Sequence, residues 1–157
     1  MLAALSAFAG MRPSECCNVR REDSPLGPGI IFEKVDGEIT NITIDILEEK
    51  NLRSDLLSVG GIKKERKQKV YPAFIEPFMD CYNLYMKYVE NKPYETNYGA
   101  LTNTSFGKAY TYNAYYAEFK KVVKACIPIM LESDDPKIVN YGHLLQENSI
   151  SPHILRH

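Results

Sequence analysis

The sequence predicts a mainly helical α+β domain in which a small antiparallel sheet packs against a bundle of helices. Three observations point to this class. Isoleucines alternate with polar residues over 42–46, as in a half-buried strand, and Asp36-Gly37 is typical of a tight hairpin turn. Two long stretches after Pro72 repeat apolar residues every three or four positions, as in amphipathic helices. With 157 residues, the chain has the length of one domain with its own core.

The amino-terminal half should hold two short helices and then the sheet. Residues 1–9 are apolar helix formers that end at Gly10, and a second helix is expected from Ser14 to Val19. Pro72 should close the last strand, because proline cannot donate to a strand ladder. The three expected strands are 30–35, 42–46 and 67–72.

The carboxy-terminal half should be helical. Ser133 and Asp134 can cap a helix that has Pro136 in its first turn and runs to about Gln146, and a final turn should start at Ser151. Packing in the core explains the tyrosines at 82, 85, 112 and 115. The two amphipathic helices are expected at 73–91 and 108–126, separated by a polar loop.

Composition and charge limit the classes of function. Hydrophobic residues make up 45% of the chain and charged residues 25%, and the net charge is −1, so any contact with nucleic acid must rest on a local basic patch. No apolar run reaches the length of a membrane span, so no membrane partner is expected. The cysteines form no CxxC pair, which favours buried, reduced thiols in a cytosolic protein over a zinc site. They are Cys16, Cys17, Cys81 and Cys126.

The first patch with chemical potential is GMRPSE, residues 10–15. Arg12 should lie at the junction of the two short helices, where Gly10 allows a sharp turn of the backbone. Glu15 could hold the guanidinium of Arg12 while the remaining N–H donors of that guanidinium face outward. Taken alone, the same residues favour a surface arginine beside a surface glutamate, because both types are usually exposed.

The second patch is IKKERKQKVYP, residues 62–72, in which five of the residues 63–69 are lysine or arginine. It follows a Gly-Gly pair and leads into a strand, so it should form the tip of a β-hairpin. Such a finger could contact a phosphate backbone and release counterions. A solvated, charged turn is the alternative.

The third patch is HILRH, residues 153–157. In a helix, His153 and Arg156 would share a face, while Ile154 and Leu155 would pack inward. A metal site needs more ligands than two histidines, and His143 has no clear spacing to them. An anion site built from imidazole and guanidinium groups is favoured, and with the other patches it suits phosphoryl transfer without a metal ion.

In order and spacing, the three patches resemble the motifs of the tyrosine recombinase (phage integrase) family. GMRPSE is similar to the first box, which carries the first catalytic arginine, and HILRH is similar to the second box, His-x-x-Arg-His. Between them, KERKQKVYP is similar to the β-hairpin that carries a catalytic lysine. The resemblance covers nearly the whole chain and implies the fold of the recombinase catalytic domain.

The resemblance implies a role for each matching residue. Arg12 and Arg156 would contact the non-bridging oxygens of the scissile phosphate. Lys64, by its distance to Pro72, would be the general acid for the leaving 5′ oxygen, and Lys63 is the other possible register. The remaining residues are His153 for proton handling, Glu15 and His157 as supports, and Lys63, Arg66 and Lys67 as DNA-binding residues.

The implied activity is site-specific recombination of double-stranded DNA through a 3′-phosphotyrosyl link, with no metal or other cofactor. The full-length protein, of bacterial or phage origin, should be cytoplasmic, associate with the nucleoid and self-associate on DNA. The family's nucleophilic tyrosine follows the second box, whereas all 11 tyrosines of this chain precede His153. Residues 1–157 should therefore be a partial catalytic domain, without the N-terminal clamping domain and the tyrosine segment, and inactive alone. The alternatives are a non-catalytic DNA-binding or regulatory remnant and a tyrosine donated in trans. The stretch from about Cys126 to Ser149 is longer than the family usually has there.

Overall fold

The computed structural model describes residues 1–46, 62, 64–92 and 98–156, and it confirms an α+β architecture. About half of the described residues are helical, and the described strands form one small sheet. The helices are α1 (Leu2–Ala9), α2 (Pro13–Cys16), α3 (Ile75–Val89), α4 (Tyr112–Leu131) and α5 (Pro136–Glu147). The strands are β1 (Ile30–Val35), β2 (Glu38–Ile46) and β3 (Arg66–Lys69), and 3₁₀ turns cover Pro72–Phe74 and Pro152–Arg156.

The sheet is antiparallel, in the order β1-β2-β3. Asp36 and Gly37 join β1 to β2 with φ angles of 51° and 87°, as a two-residue hairpin turn requires, so the predicted turn is confirmed. β3 starts at residue 66 and ends at residue 69, and Pro72 opens a 3₁₀ turn rather than closing the strand itself. The Gly60-Gly61 loop before β3 lies outside the described residues.

The core lies between the sheet and helices α1, α3 and α4. Ile42, Ile44 and Ile46 of β2 are all buried, as predicted, but Thr43 and Asp45 between them are buried too, so the prediction that this stretch is only half-buried is wrong. Phe78 from α3 and Phe119 from α4 belong to the same cluster. All four cysteines are free. Cys16 and Cys17 are buried as predicted, but Cys81 is only half-buried, at the edge of the core, and Cys126 is exposed on α4.

The fourth helix differs from the sequence prediction. It runs on to Leu131 through Pro128 instead of ending near Cys126. Its carboxyl end packs against α5 at Met130 and Leu131, whereas Val122 and Cys126 are exposed. Helix α5 ends at Glu147, one residue beyond the predicted Gln146. Its capping side chain is Asp135 instead of Ser133 or Asp134, and it accepts a hydrogen bond from the backbone N–H of Lys137.

Among the helices of the described residues, none has both the length and the apolar character needed to cross a membrane.

Candidate functional site

The first and the third sequence patches meet at the junction of α1 and α2. Gly10 ends α1 with a φ of 62°, a left-handed conformation that glycine adopts without strain. The carbonyl oxygen of Gly10 accepts a hydrogen bond of 2.8 Å from Nε of Arg156. Arg12 follows Gly10 by two residues, so the two arginines belong to one local surface although 144 positions separate them in the sequence.

Arg12 is held by the residue three positions after it. Its backbone N–H donates to Oε2 of Glu15 at 2.9 Å, and its Nη1 donates to Oε1 at 3.1 Å. Arg12 precedes the first residue of α2, and Glu15 is the third residue of that helix, so the backbone contact is half of a capping box. The side chain of Arg12 is 30% exposed, and the donors Nε and Nη2 have no partner among the described residues, which leaves them available to an anion.

Glu15 is fully buried, and a second arginine shares its carboxylate. Nη1 of Arg66 donates to Oε1 at 3.0 Å and Nη2 donates to Oε2 at 2.9 Å, a two-pronged contact from β3. Burial acts to raise the pKa of Glu15, but the hydrogen bonds from Arg66 and from the backbone of Arg12 outweigh it and lower the pKa below its ordinary value. The carboxylate therefore stays charged and ties β3 to residues 10–15.

The position of Arg66 differs from its expected role as a DNA contact. Besides Glu15, its guanidinium donates to the carbonyl oxygen of Lys64 at 3.2 Å and to Oε1 of Gln68 at 2.9 Å. These contacts use donors that a phosphate would need. Arg66 thus stabilises the carboxylate of Glu15 and the backbone of Lys64. Lys67 lies on the other face of the strand and is exposed.

Lys64 and His153, the two residues expected to handle protons, are both exposed. His153 lies in the carboxy-terminal 3₁₀ turn, where residues three apart eclipse each other, so it shares a face with Arg156. Leu155 packs partly against the core, as expected. Ile154 is 50% exposed, so the prediction that it packs inward is wrong, because the tighter 3₁₀ turn directs it away from the core.

Two of the predicted site residues, Lys63 and His157, lie outside the described residues. In the part of the chain that the structure describes, no group of three or more His, Cys, Asp or Glu side chains could hold a metal ion.

Sequence reasoning missed the inward orientation of Arg66, although a signal was present. Side chains of a strand alternate between its two faces. Arg66 and Gln68 pair with Ile46 and Ile44 of β2, whose buried positions the isoleucine pattern had indicated. Counting back by two from the apolar Val70, which is buried, would have placed Gln68 and Arg66 on the inner face and Lys67 on the outer one.

The site combines two guanidinium groups with an exposed imidazole and an exposed lysine. One buried carboxylate offsets Arg12 and Arg66, so the described part of the site has a net positive charge. Fixed guanidinium groups favour binding of a phosphate or another oxyanion, and the imidazole adds a further hydrogen-bonding group. Comparisons of the chain with protein-family models, with curated proteins and with solved structures found no match.

Proposed function

We propose that this chain is the phosphate-binding part of a tyrosine-recombinase-like catalytic domain, and that it acts on double-stranded DNA in site-specific recombination. The observation that carries the proposal is the hydrogen bond between Arg156 and Gly10, which brings the second box onto the first. Two arginines from boxes at opposite ends of the sequence are the arrangement that the resemblance requires. The proposal includes the recombinase-like fold, because the order of helices and sheet is compatible with it.

In the proposed reaction, a tyrosine oxygen attacks the scissile phosphorus and the 5′ oxygen of the next nucleotide leaves. Arg12 and Arg156 neutralise the negative charge that grows on the non-bridging oxygens in the transition state. Lys64 gives a proton to the leaving oxygen, and His153 handles the proton of the attacking group. The covalent link to the enzyme conserves the phosphodiester bond energy, so rejoining needs no nucleotide hydrolysis.

The nucleophilic tyrosine of the family follows the second box, and the proposal gives that role to none of the tyrosines before His153. Tyr82 and Tyr115 are buried, as the assignment to packing requires. Incubation of the chain with a suicide DNA substrate should therefore give no covalent protein–DNA adduct. A stable adduct would contradict this part of the proposal.

Salt-dependent DNA binding tests the phosphate site itself. Each phosphate that a cationic side chain neutralises contributes about 0.9 to the slope of log K against log salt concentration. Fluorescence anisotropy with a labelled duplex should show that the double variant Arg12→Gln/Arg156→Gln binds more weakly and with a shallower slope than the wild type. The matched control is Lys34→Gln/Lys124→Gln, which removes the same charge from exposed positions on β1 and α4. Equal slopes for the two double variants would show that the arginines do not bind DNA.

A further inference from the structure

Tyr71 lies against Gly10, and the basic patch that contains it gives it no role. It follows β3, and its backbone N–H donates to the carbonyl oxygen of Phe8 in α1 at 2.9 Å, which anchors it at the end of that helix. A Cβ atom at Gly10 would lie 3.1 Å from the hydroxyl oxygen of Tyr71 and 3.7 Å from its ring. The phenol therefore rests on the residue whose carbonyl oxygen holds Arg156.

The hydroxyl group of Tyr71 is free to bind a ligand. The residue is 51% exposed, and its hydroxyl has no hydrogen-bond partner in the described part of the chain. Two other tyrosines show the contrast, because the hydroxyl of Tyr82 donates to Glu22 at 2.8 Å and that of Tyr85 accepts from the backbone of Asn103 at 2.8 Å. Those hydroxyls are used within the fold, whereas that of Tyr71 lies at the exposed surface over Gly10.

We infer that the hydroxyl of Tyr71 donates a hydrogen bond to a phosphate oxygen of DNA bound between Arg12 and Arg156. The inference rests on the proposed function and adds a third donor to that site. A phenol hydroxyl carries no positive charge, so it can donate to the anion without displacing a counterion. Its contribution should therefore appear in the affinity and be absent from the salt slope, which separates it from the arginines.

The test is Tyr71→Phe, which keeps the ring on Gly10 and removes only the hydroxyl. Anisotropy titrations between about 50 and 200 mM salt should show a Kd raised about tenfold at every salt concentration, with an unchanged slope. The matched control is Tyr141→Phe, a substitution at an exposed tyrosine of α5, and it should bind as the wild type does. Equal melting temperatures would show that both variants are folded.

The remaining outcomes separate this inference from the function on which it rests. If Arg12→Gln/Arg156→Gln weakens binding but Tyr71→Phe does not, the inference is wrong and the phosphate site stands. If none of these substitutions affects binding, both are wrong. A covalent adduct mapped to Tyr71 by digestion and mass spectrometry would also overturn the inference, since the hydroxyl would then be a nucleophile and not a hydrogen-bond donor.

Discussion

The carboxylate of Glu15 accepts four hydrogen bonds, two from Arg12 and two from Arg66. A buried carboxylate is stable only when such partners replace its lost hydration. Arg66 therefore acts on Arg12 indirectly, because it keeps in place the Glu15 carboxylate that orients Arg12. The basic run that contains it thus divides into exposed lysines, Lys64 and Lys67, and one inward arginine.

We expect Arg66→Gln to lower the free energy of unfolding by about 1.5–3 kcal/mol, because the buried carboxylate loses its charged donors. The control is Lys67→Gln, which lies on the exposed face of the same strand and should change stability by less than about 0.5 kcal/mol. Urea denaturation at neutral pH measures both values. Adding Glu15→Gln should recover part of the loss caused by Arg66→Gln, since the unpaired charge is gone. Equal stabilities of Arg66→Gln and Lys67→Gln would contradict the role of the contact.

The pH dependence of stability should show the lowered pKa of Glu15. A carboxyl group with a lowered pKa in the folded state stabilises the fold above its unfolded pKa, about 4.3, and this contribution disappears as the pH falls through the folded pKa. Glu15→Gln should therefore be less stable than the wild type at pH 7, and the difference should shrink below about pH 4. Urea denaturation at a series of pH values measures this difference. The control is Glu132→Gln, at an exposed position after α4, for which we expect no such trend. A constant difference for Glu15→Gln down to the lowest pH would contradict the assignment.

At the level of elements, the parts with local signals were predictable and the parts set by packing were not. The alternation of β2 and the Asp36-Gly37 turn depend on near neighbours in the sequence, so the β1-β2 hairpin was found. The end of α4 is set by packing, because its carboxyl end forms a helical hairpin with α5, which begins at Pro136. The helix continues for three residues past Pro128, although proline in a helix interior usually kinks or ends the helix. Likewise, the pairing of Glu15 with Arg66 needs the register of β3 on β2, which no local pattern of charges supplies.

The contact between α4 and α5 is close at Gly142. A Cβ atom there would lie 3.0 Å from Cδ2 of Leu131 and 3.2 Å from Cβ of Met130, so a larger side chain would force the helices apart. We expect Gly142→Val to reduce hydrogen-exchange protection in α5 and in the second half of α4, and to leave the sheet protected, because α5 packs mainly on α4. The control is Asn140→Val, an exposed position on the same helix with the same β-branched residue. Equal exchange in both variants would show that the hairpin does not depend on this contact.

For the molecule as a whole, the candidate site depends on the two ends of the sequence meeting. Nothing in the local sequence of residues 10–15 or 153–157 states that they are neighbours; only their resemblance to the two boxes predicted it. The structure brings them together through α1, which packs against the carboxy-terminal 3₁₀ turn. Loss of that packing would separate Arg156 from Gly10 and divide the site. Folding and phosphate binding should therefore be coupled.

That coupling predicts that inorganic phosphate stabilises the fold. A ligand that binds only the folded state at ten times its Kd adds about 1.4 kcal/mol. For a chain of this length the melting temperature should then rise by roughly 3–6 °C. Thermal unfolding in phosphate, against chloride at equal ionic strength, measures the rise. Arg12→Gln/Arg156→Gln should abolish it and Lys34→Gln/Lys124→Gln should not, because Arg156 is bonded to Gly10, two residues before Arg12, whereas the two lysines lie on separate elements. An equal rise in both double variants would mean that phosphate acts through general salt effects, and that the arginines do not hold one common anion.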